Sequence, residues 1–114
     1  MNLDETAPSL QILMNAIEGF WSFDGSKYPA ISSDSSADAV QLFARGHILS
    51  HLVKVAGNIA TLVEQADHGS SLPVDNLGSR VLCARFLVDA LRLACLEGVT
   101  AEDLVKYIKC RVEE

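Results

Sequence analysis

The chain has 114 residues, of which 49% are hydrophobic, so it carries enough apolar surface for one domain with a core of its own. Its formal charge of -6 opposes binding to nucleic acid, which depends on clustered Lys and Arg. The most apolar region, residues 81–96, is interrupted by Arg85, Asp89 and Arg92, which excludes a membrane span. We therefore expect a single domain over residues 1–114 that binds neither nucleic acid nor a membrane.

The N-terminal segment and the cysteines bear on the cellular compartment. The start "MNLDETAPSL" lacks both the basic residues and the apolar run of a signal peptide. The chain has three cysteines, Cys83, Cys95 and Cys110. An odd number of cysteines without the spacing of a known motif is typical of reduced thiols. These features predict a cytoplasmic protein.

The first helix is predicted over residues 8–22. Pro8 suits the first turn of a helix, and Leu10, Leu13, Ile17 and Trp21 recur at helical spacing. The segment that follows is rich in Gly, Pro and Ser and has no sustained period, so a loop is expected over residues 23–35.

The second helix is predicted from a cap at Ser35 or Ser36 to about Ala66, with Asp38 placed to close a capping box or to complement the helix dipole. It carries more apolar perimeter than one helix of a small domain usually buries, which implies a partner chain. One stripe comprises Leu42, Leu49, Leu52, Ala56, Ile59 and Val63, and another comprises Val40, Ala44, Ile48, Val55 and Leu62. A strip with His47, His51, Lys54, Asn58 and Gln65 is the one expected to face water.

A third stripe of this helix consists mainly of small residues. Glycine costs about 1 kcal/mol in a helix interior relative to alanine, so its presence predicts close packing of another backbone. The stripe, predicted as a helix-packing or dimer surface, consists of Gly46, Ser50, Val53, Gly57 and Ala60.

The rest of the chain predicts two more helices. A loop over residues 67–75 leads to a third helix that begins between Pro73 and Ser79 and ends at Gly98. Thr100 and Asp103 have the spacing of a capping box for a fourth helix. The predicted fold is all-α, with about four helices, of which two long antiparallel ones form the core.

Two polar groups are candidates for chemistry. Arg85, Asp89 and Arg92 share one face of the third helix. Three roles are possible for this group: an ion-paired element that docks helices, with Asp89 between two guanidinium groups, an anion site, or an intersubunit contact. His47 and His51 lie one turn apart, a spacing that can share a zinc ion, with Asp67 and His68 the nearest further ligands in sequence. The expectation is no metal and no cofactor, with the two histidines as weak candidates.

Three segments resemble one family. The segment "LVDALRLACLEGVTAEDLVKYIK", Leu87 to Lys109, resembles the second core helix, the turn and the following helix of the all-α nucleoside triphosphate pyrophosphatases of the MazG-like type. "LQILMNAIEGFW" is similar to the opening helix of that family and "HLVKVAGNIATLVE" to its first core helix. The resemblance implies an all-α homodimer, in which two long helices of each chain make a four-helix core around a nucleotide cleft.

The residues that bind metal in that family are replaced here. The family holds magnesium with an E-x-x-E pair and an E-x-x-D pair, since hard cations take carboxylate ligands. The resemblance puts these pairs at Val55 and Asn58 and at Leu82 and Arg85, none of which is acidic. It therefore implies the fold without the hydrolysis.

The leading hypothesis is a degenerate, non-catalytic homodimer that binds a small molecule, such as a nucleotide, or a protein near the former cleft. One alternative is a magnesium-dependent pyrophosphatase whose ligands come from Glu64, Asp67, Asp75 or Glu97, gathered across the dimer. Another is a structural module whose cleft is filled by Phe86, Leu82 and Phe43. The candidate ligand-binding residues are Lys54, Asn58, Arg85, Asp89 and Arg92.

Overall fold

The computed structural model describes residues 2–32, 34–69 and 77–112 and builds them from helices. The α-helices are α1 (Ala7–Phe20), α2 (Ala37–Asp67), α3 (Leu77–Leu96) and α4 (Ala101–Val112), and there is no strand among these residues. Short 3-10 turns at Leu3–Thr6 and Gly25–Lys27 were not predicted. The predicted all-α class with about four helices is confirmed. The loop predicted over residues 67–75 lies outside the described residues beyond residue 69.

Local capping explains where the helices begin and end. The hydroxyl of Ser36 accepts the backbone N–H of Ala39 at 3.1 Å and starts α2. Thr100 and Asp103 form the predicted capping box, in which each backbone N–H donates to the other side chain, at 3.1 and 3.2 Å. Gly98 ends the turn after α3 with φ +72°, a conformation that glycine adopts without the steric cost of a Cβ.

The core forms where α1, α3 and α4 meet. Its centre is the fully buried Met14, and the side chain of Gln11 accepts the backbone N–H of Ala101 at 2.9 Å, which joins α1 to the start of α4. Leu13 and Trp21, two of the apolar residues whose spacing predicts the first helix, are exposed, and the helix is shorter than the predicted residues 8–22. The helix ends at Phe20, and α3 and α4 both approach the side that carries Met14, so Leu13 points outward. The buried cluster consists of Met14, Ile17, Leu91, Ala94 and Ala101.

Helix α2 packs on α3 through one of its two predicted apolar stripes. Ala44, Ile48 and Val55 are buried, whereas Leu42, Leu49, Val53 and Val63 are exposed. The amide of Gln41 donates to the carbonyl of Leu96 at 2.7 Å, next to an Arg45–Glu97 ion pair, and these contacts set the alignment of the two helices. The radius of gyration is 17.3 Å, compared with about 13 Å for a compact chain of this length, so α2 extends beyond the core.

None of the described helices is both long enough and apolar enough to cross a bilayer.

Replacement of Met14 tests the position of the core. Met14→Ala is expected to lower the free energy of unfolding by about 2–5 kcal/mol, because it leaves a cavity at the centre of the three-helix contact. The matched control is the neighbouring Leu13→Ala, whose side chain is 43% exposed and whose loss costs much less. Urea titration followed by circular dichroism measures both. Equal losses for the two variants would contradict the assignment.

Candidate functional site

A cleft between α2 and α3 brings together all five predicted ligand-binding residues. It has a volume of about 490 Å³, and Trp21 at the end of α1 closes one side of it. Val55 and Val88 supply apolar wall, and His51 joins the polar residues. The predicted residues that line it are Lys54, Asn58, Arg85, Asp89 and Arg92.

Arg92 is fixed in place by two contacts. Its Nη1 lies 3.6 Å from Oδ1 of Asp89, and its Nε donates to the backbone carbonyl of Trp21 at 3.1 Å. Asp89 is 7% exposed, so its charge depends on this partner for compensation. Arg92 therefore holds the end of α1 against α3 and sets the wall of the cleft.

Of the three alternatives for this group, the one with Asp89 between two guanidinium groups does not match the structure. Among the described residues, Arg92 is the one that pairs with Asp89, whereas Arg85, one turn earlier, is exposed and lines the cleft. Within the part of the chain that the structure describes, no hydrogen bond or ion pair involves the side chains of Arg85, Lys54 or Asn58. Three polar groups in the cleft are thus available to a ligand.

The cleft has the opposite charge to the chain as a whole. Lys54, Arg85 and Arg92 outweigh Asp89, so the formal charge of its lining is positive with His51 neutral, while the chain carries -6. Low-dielectric walls concentrate such a local field and raise the local concentration of counter-ions. The arrangement favours a small anion.

The side chains that would have closed the cleft lie elsewhere. Phe43 packs against Tyr28 and Phe23 beneath the segment 22–36, with ring centroids 5.4 and 6.1 Å away. Phe86 is 42% exposed, and neither it nor Leu82 lines the cleft. The cleft is consequently open.

A second cluster was not predicted. Tyr28 stacks on Phe23, and its hydroxyl lies 2.9 Å from Nε2 of His47, whose Nε2 lies 3.2 Å from Nε2 of His51. The segment that carries Tyr28 has no periodic pattern, so its sequence held no signal for a contact with α2. His47 is accordingly half-buried, although its strip was predicted to face water.

The two histidines lack the third ligand of a metal site. No group of three His, Cys, Asp or Glu residues suited to a metal occurs among the described residues. The expected further ligands are out of reach, because Asp67 lies 16 positions beyond His51 on the same helix, or about 24 Å. The acids of the relocated magnesium site are equally scattered: Glu97 pairs with Arg45, Glu64 is exposed near the far end of α2, and Asp75 lies outside the described residues.

The small stripe of α2 faces outward. All five of its residues are exposed, and a Cβ added at Gly46 or Gly57 would meet no atom within 4 Å. No helix of the described chain therefore packs on it. The stripe, Gly46, Ser50, Val53, Gly57 and Ala60, stays a predicted surface for a partner.

A larger depression of about 700 Å³ lies between the N-terminal 3-10 turn and α4. Asp4, Glu102 and Lys106 line it with both signs of charge, and Asp4 is already paired with Lys109 at 3.0 Å. The depression therefore offers less to a charged ligand than the cleft does.

Comparisons of the chain with protein-family models, with curated protein sequences and with solved structures found no match. The candidate site consequently rests on the geometry described above.

The pH dependence of stability tests the environment of His47. Burial lowers the pKa of His47 below its usual value, and the neighbouring His51 and Arg92 lower it further. The unfolded chain therefore takes up a proton near pH ~6.5 that the folded chain resists, and stability present above that pH is lost as the pH falls below it.

Replacement of the side chain by glutamine should reduce that loss. The free energy of unfolding of His47→Gln, measured at about pH 7.5 and 5.5, is expected to vary less with pH than that of the parent protein. His68→Gln is the matched control, since His68 is 76% exposed at the end of α2. An unchanged pH dependence in His47→Gln would contradict the assigned burial.

Proposed function

We propose that this protein is a non-catalytic helical homodimer that binds a small anionic molecule in the cleft between α2 and α3. The observation that carries the proposal is the convergence of Lys54, Asn58 and Arg85, all without partners in the described chain, on an open and locally positive cleft. In the empty cleft, cationic side chains without partners at its mouth stay largely hydrated. When an anion binds, these side chains form charge-assisted hydrogen bonds with it.

The residues suit a ligand with a charged head and an apolar body. Arg85 offers a planar fork that matches a phosphate or a carboxylate, and Lys54 adds a mobile point charge. Val55, Val88 and Trp21 give the same cleft an apolar wall. A phosphate- or carboxylate-bearing small molecule, including a nucleotide, fits this combination.

The same residues argue against hydrolysis of a nucleotide. Phosphoryl chemistry requires a cation that neutralises developing charge and orients the attacking water, and Mg²⁺ is held by carboxylates for this purpose. Asp89 is the one carboxylate among the described residues that lines the cleft, and it is already paired with Arg92. The MazG-like ancestry remains a prediction, and what it suggests here is a cleft whose metal-binding acids have been replaced.

Dimerisation is supported by the surface of the chain. The accessible surface is 8220 Å², compared with about 6100 Å² for a compact monomer of this mass. The excess, about 2100 Å² for each chain, falls in the range that obligate dimers bury. We propose that the outward stripes of α2 pair with a second copy, so that two antiparallel core helices from each chain complete a four-helix core.

Binding of anions is expected to depend on Arg85. Titration with sulfate, inorganic phosphate, and nucleoside mono- and triphosphates, with and without magnesium, is followed by calorimetry and by fluorescence of Trp21, the one tryptophan in the chain. Arg85→Met should weaken binding about tenfold or more, because a hydrogen bond to a charged group is lost without any loss of internal contacts.

Arg80→Met is the matched control, since Arg80 is an exposed arginine of the same helix that does not line the cleft. Equal weakening by both variants would indicate only a general charge effect and would contradict the site. Magnesium-dependent binding with release of pyrophosphate would overturn the non-catalytic assignment.

The oligomeric state tests the outward face of α2. Light scattering at micromolar concentration is expected to give twice the chain mass of 12.3 kDa. Val53→Glu should give the monomer mass, because a carboxylate would be buried in the interface without a partner. Ile12→Glu is the control, since both residues are 71% exposed in the single chain. A monomeric parent protein, or a Val53→Glu variant that stays dimeric, would contradict the proposed interface.

A further inference from the structure

His51 belongs both to the anion cleft and to the histidine pair. It lines the cleft beside Lys54 and Arg92, and its Nε2 lies 3.2 Å from Nε2 of His47. The hydroxyl of Tyr28 lies 2.9 Å from the same Nε2 of His47. A titratable side chain of the cleft is therefore in contact with a second titratable group outside it.

The contact between the two rings limits the charge that they can carry. A hydrogen bond between two Nε2 atoms requires a proton on one of them and a lone pair on the other. If both rings were imidazolium, two N–H groups would point at each other, so this geometry allows one positive charge. Tyr28 contacts the same nitrogen of His47, whose pKa is lowered by burial. Of the two rings, His51 is the exposed one, and it lies on the cleft side.

The groups that face His51 are mostly cationic. On its own helix these are His47 and Lys54, and on α3 they are the cations Arg85 and Arg92. Among the described residues, Asp89 is the one acid that lines the cleft, and it is paired with Arg92. An anion in the cleft would offset the three cations and favour the charged form of His51.

We propose that anion binding in the cleft is coupled to protonation of His51, so that the site binds an anion together with a proton. This inference rests on the proposed anion site and names how that site is regulated. A proton on His51 adds a fourth cation to the lining of the cleft and strengthens its attraction for an anion. Neutral His47 accepts a hydrogen bond from the Nε2–H of the charged His51 ring. This bond holds the His51 ring at the wall of the cleft.

Sulfate is the probe of choice, because its charge does not change between about pH 6 and 8, whereas inorganic phosphate itself titrates there. Its affinity for the full chain is measured at both pH values by calorimetry and by Trp21 fluorescence. We expect sulfate to bind about 3- to 10-fold more tightly at about pH 6 than at about pH 8, within the limit of tenfold per pH unit that uptake of one proton sets. Calorimetry at about pH 7 in two buffers of different ionisation enthalpy should show uptake of a fraction of one proton per sulfate.

Three comparisons decide the inference. His51→Gln keeps a polar side chain that does not titrate, and its sulfate affinity should be nearly the same at the two pH values. His68→Gln should retain the pH dependence, since His68 lies beyond α2, away from the cleft. In the unsubstituted protein, the NMR titration midpoint of His51 should move to higher pH when sulfate is added.

The contrary outcomes distinguish the proton coupling from the anion site itself. Sulfate binding with equal affinity at both pH values would overturn the proton coupling and leave the anion site standing. A pH dependence that survives in His51→Gln, or a His51 midpoint that sulfate does not move, would overturn the coupling as well. If sulfate does not bind at either pH, the proposed anion site fails and the coupling fails with it.

Discussion

Helix α2 has 31 residues, a length of about 46 Å, and it buries Ala44, Ile48 and Val55 while Leu42, Leu49 and Val63 of its other apolar stripe stay exposed. The contact is anchored near one end by Gln41 and Arg45, which bind the last residue of α3 and the residue that follows it. Beyond the core that α1, α3 and α4 share, α2 and α3 continue as a helix pair with little else packed on it. Both the open cleft and the exposed outer stripe follow from this arrangement, because a long helix beside a short core leaves surface that a compact domain would bury.

The Asp89–Arg92 pair turns that helix pair into a defined site. A carboxylate that is 7% exposed needs a partner, and Arg92 supplies it while also binding the carbonyl of Trp21. The end of α1 is thereby joined to α3 at the cleft wall. Since the acid is already compensated, the remaining cations Lys54 and Arg85 determine the sign of the field in the cleft. Arg92 thus contributes both to the packing of α1 against α3 and to the charge of the cleft.

Predictions from the sequence succeeded where the signal was local. The cap at Ser36, the capping box of Thr100 and Asp103, and the left-handed Gly98 each depend on residues within one turn, and the structure contains all of them. The five predicted ligand-binding residues all line the cleft, since spacings of three and four put each set on one helix face, and ligand binding by them stays a prediction. The alignment that brings the two faces together depends on contacts such as Gln41 with Leu96, 55 residues apart, which no local pattern contains.

The misses have the same physical origin. Leu13 and Met14 are both apolar residues of one helix, and which of them is buried depends on the directions from which α3 and α4 approach. The contact of Tyr28 with His47 joins a loop without periodicity to α2 across 19 residues. Neither the burial of Met14 nor the contact of Tyr28 with His47 can be predicted from composition or residue spacing.

Under the proposed MazG-like ancestry, the residues that line the cleft would account for the absence of hydrolysis. A cleft lined by acids attracts a divalent cation, and the phosphate binds through the metal. Once Arg85 and Lys54 stand in such a cleft, the phosphate can bind the protein directly, and a cation is repelled from the same place. Under the proposed ancestry, the ion that would have activated water is lost with this exchange of charge. An anion held in this way would be bound in its ground state, which is the physical basis of the proposed binding function.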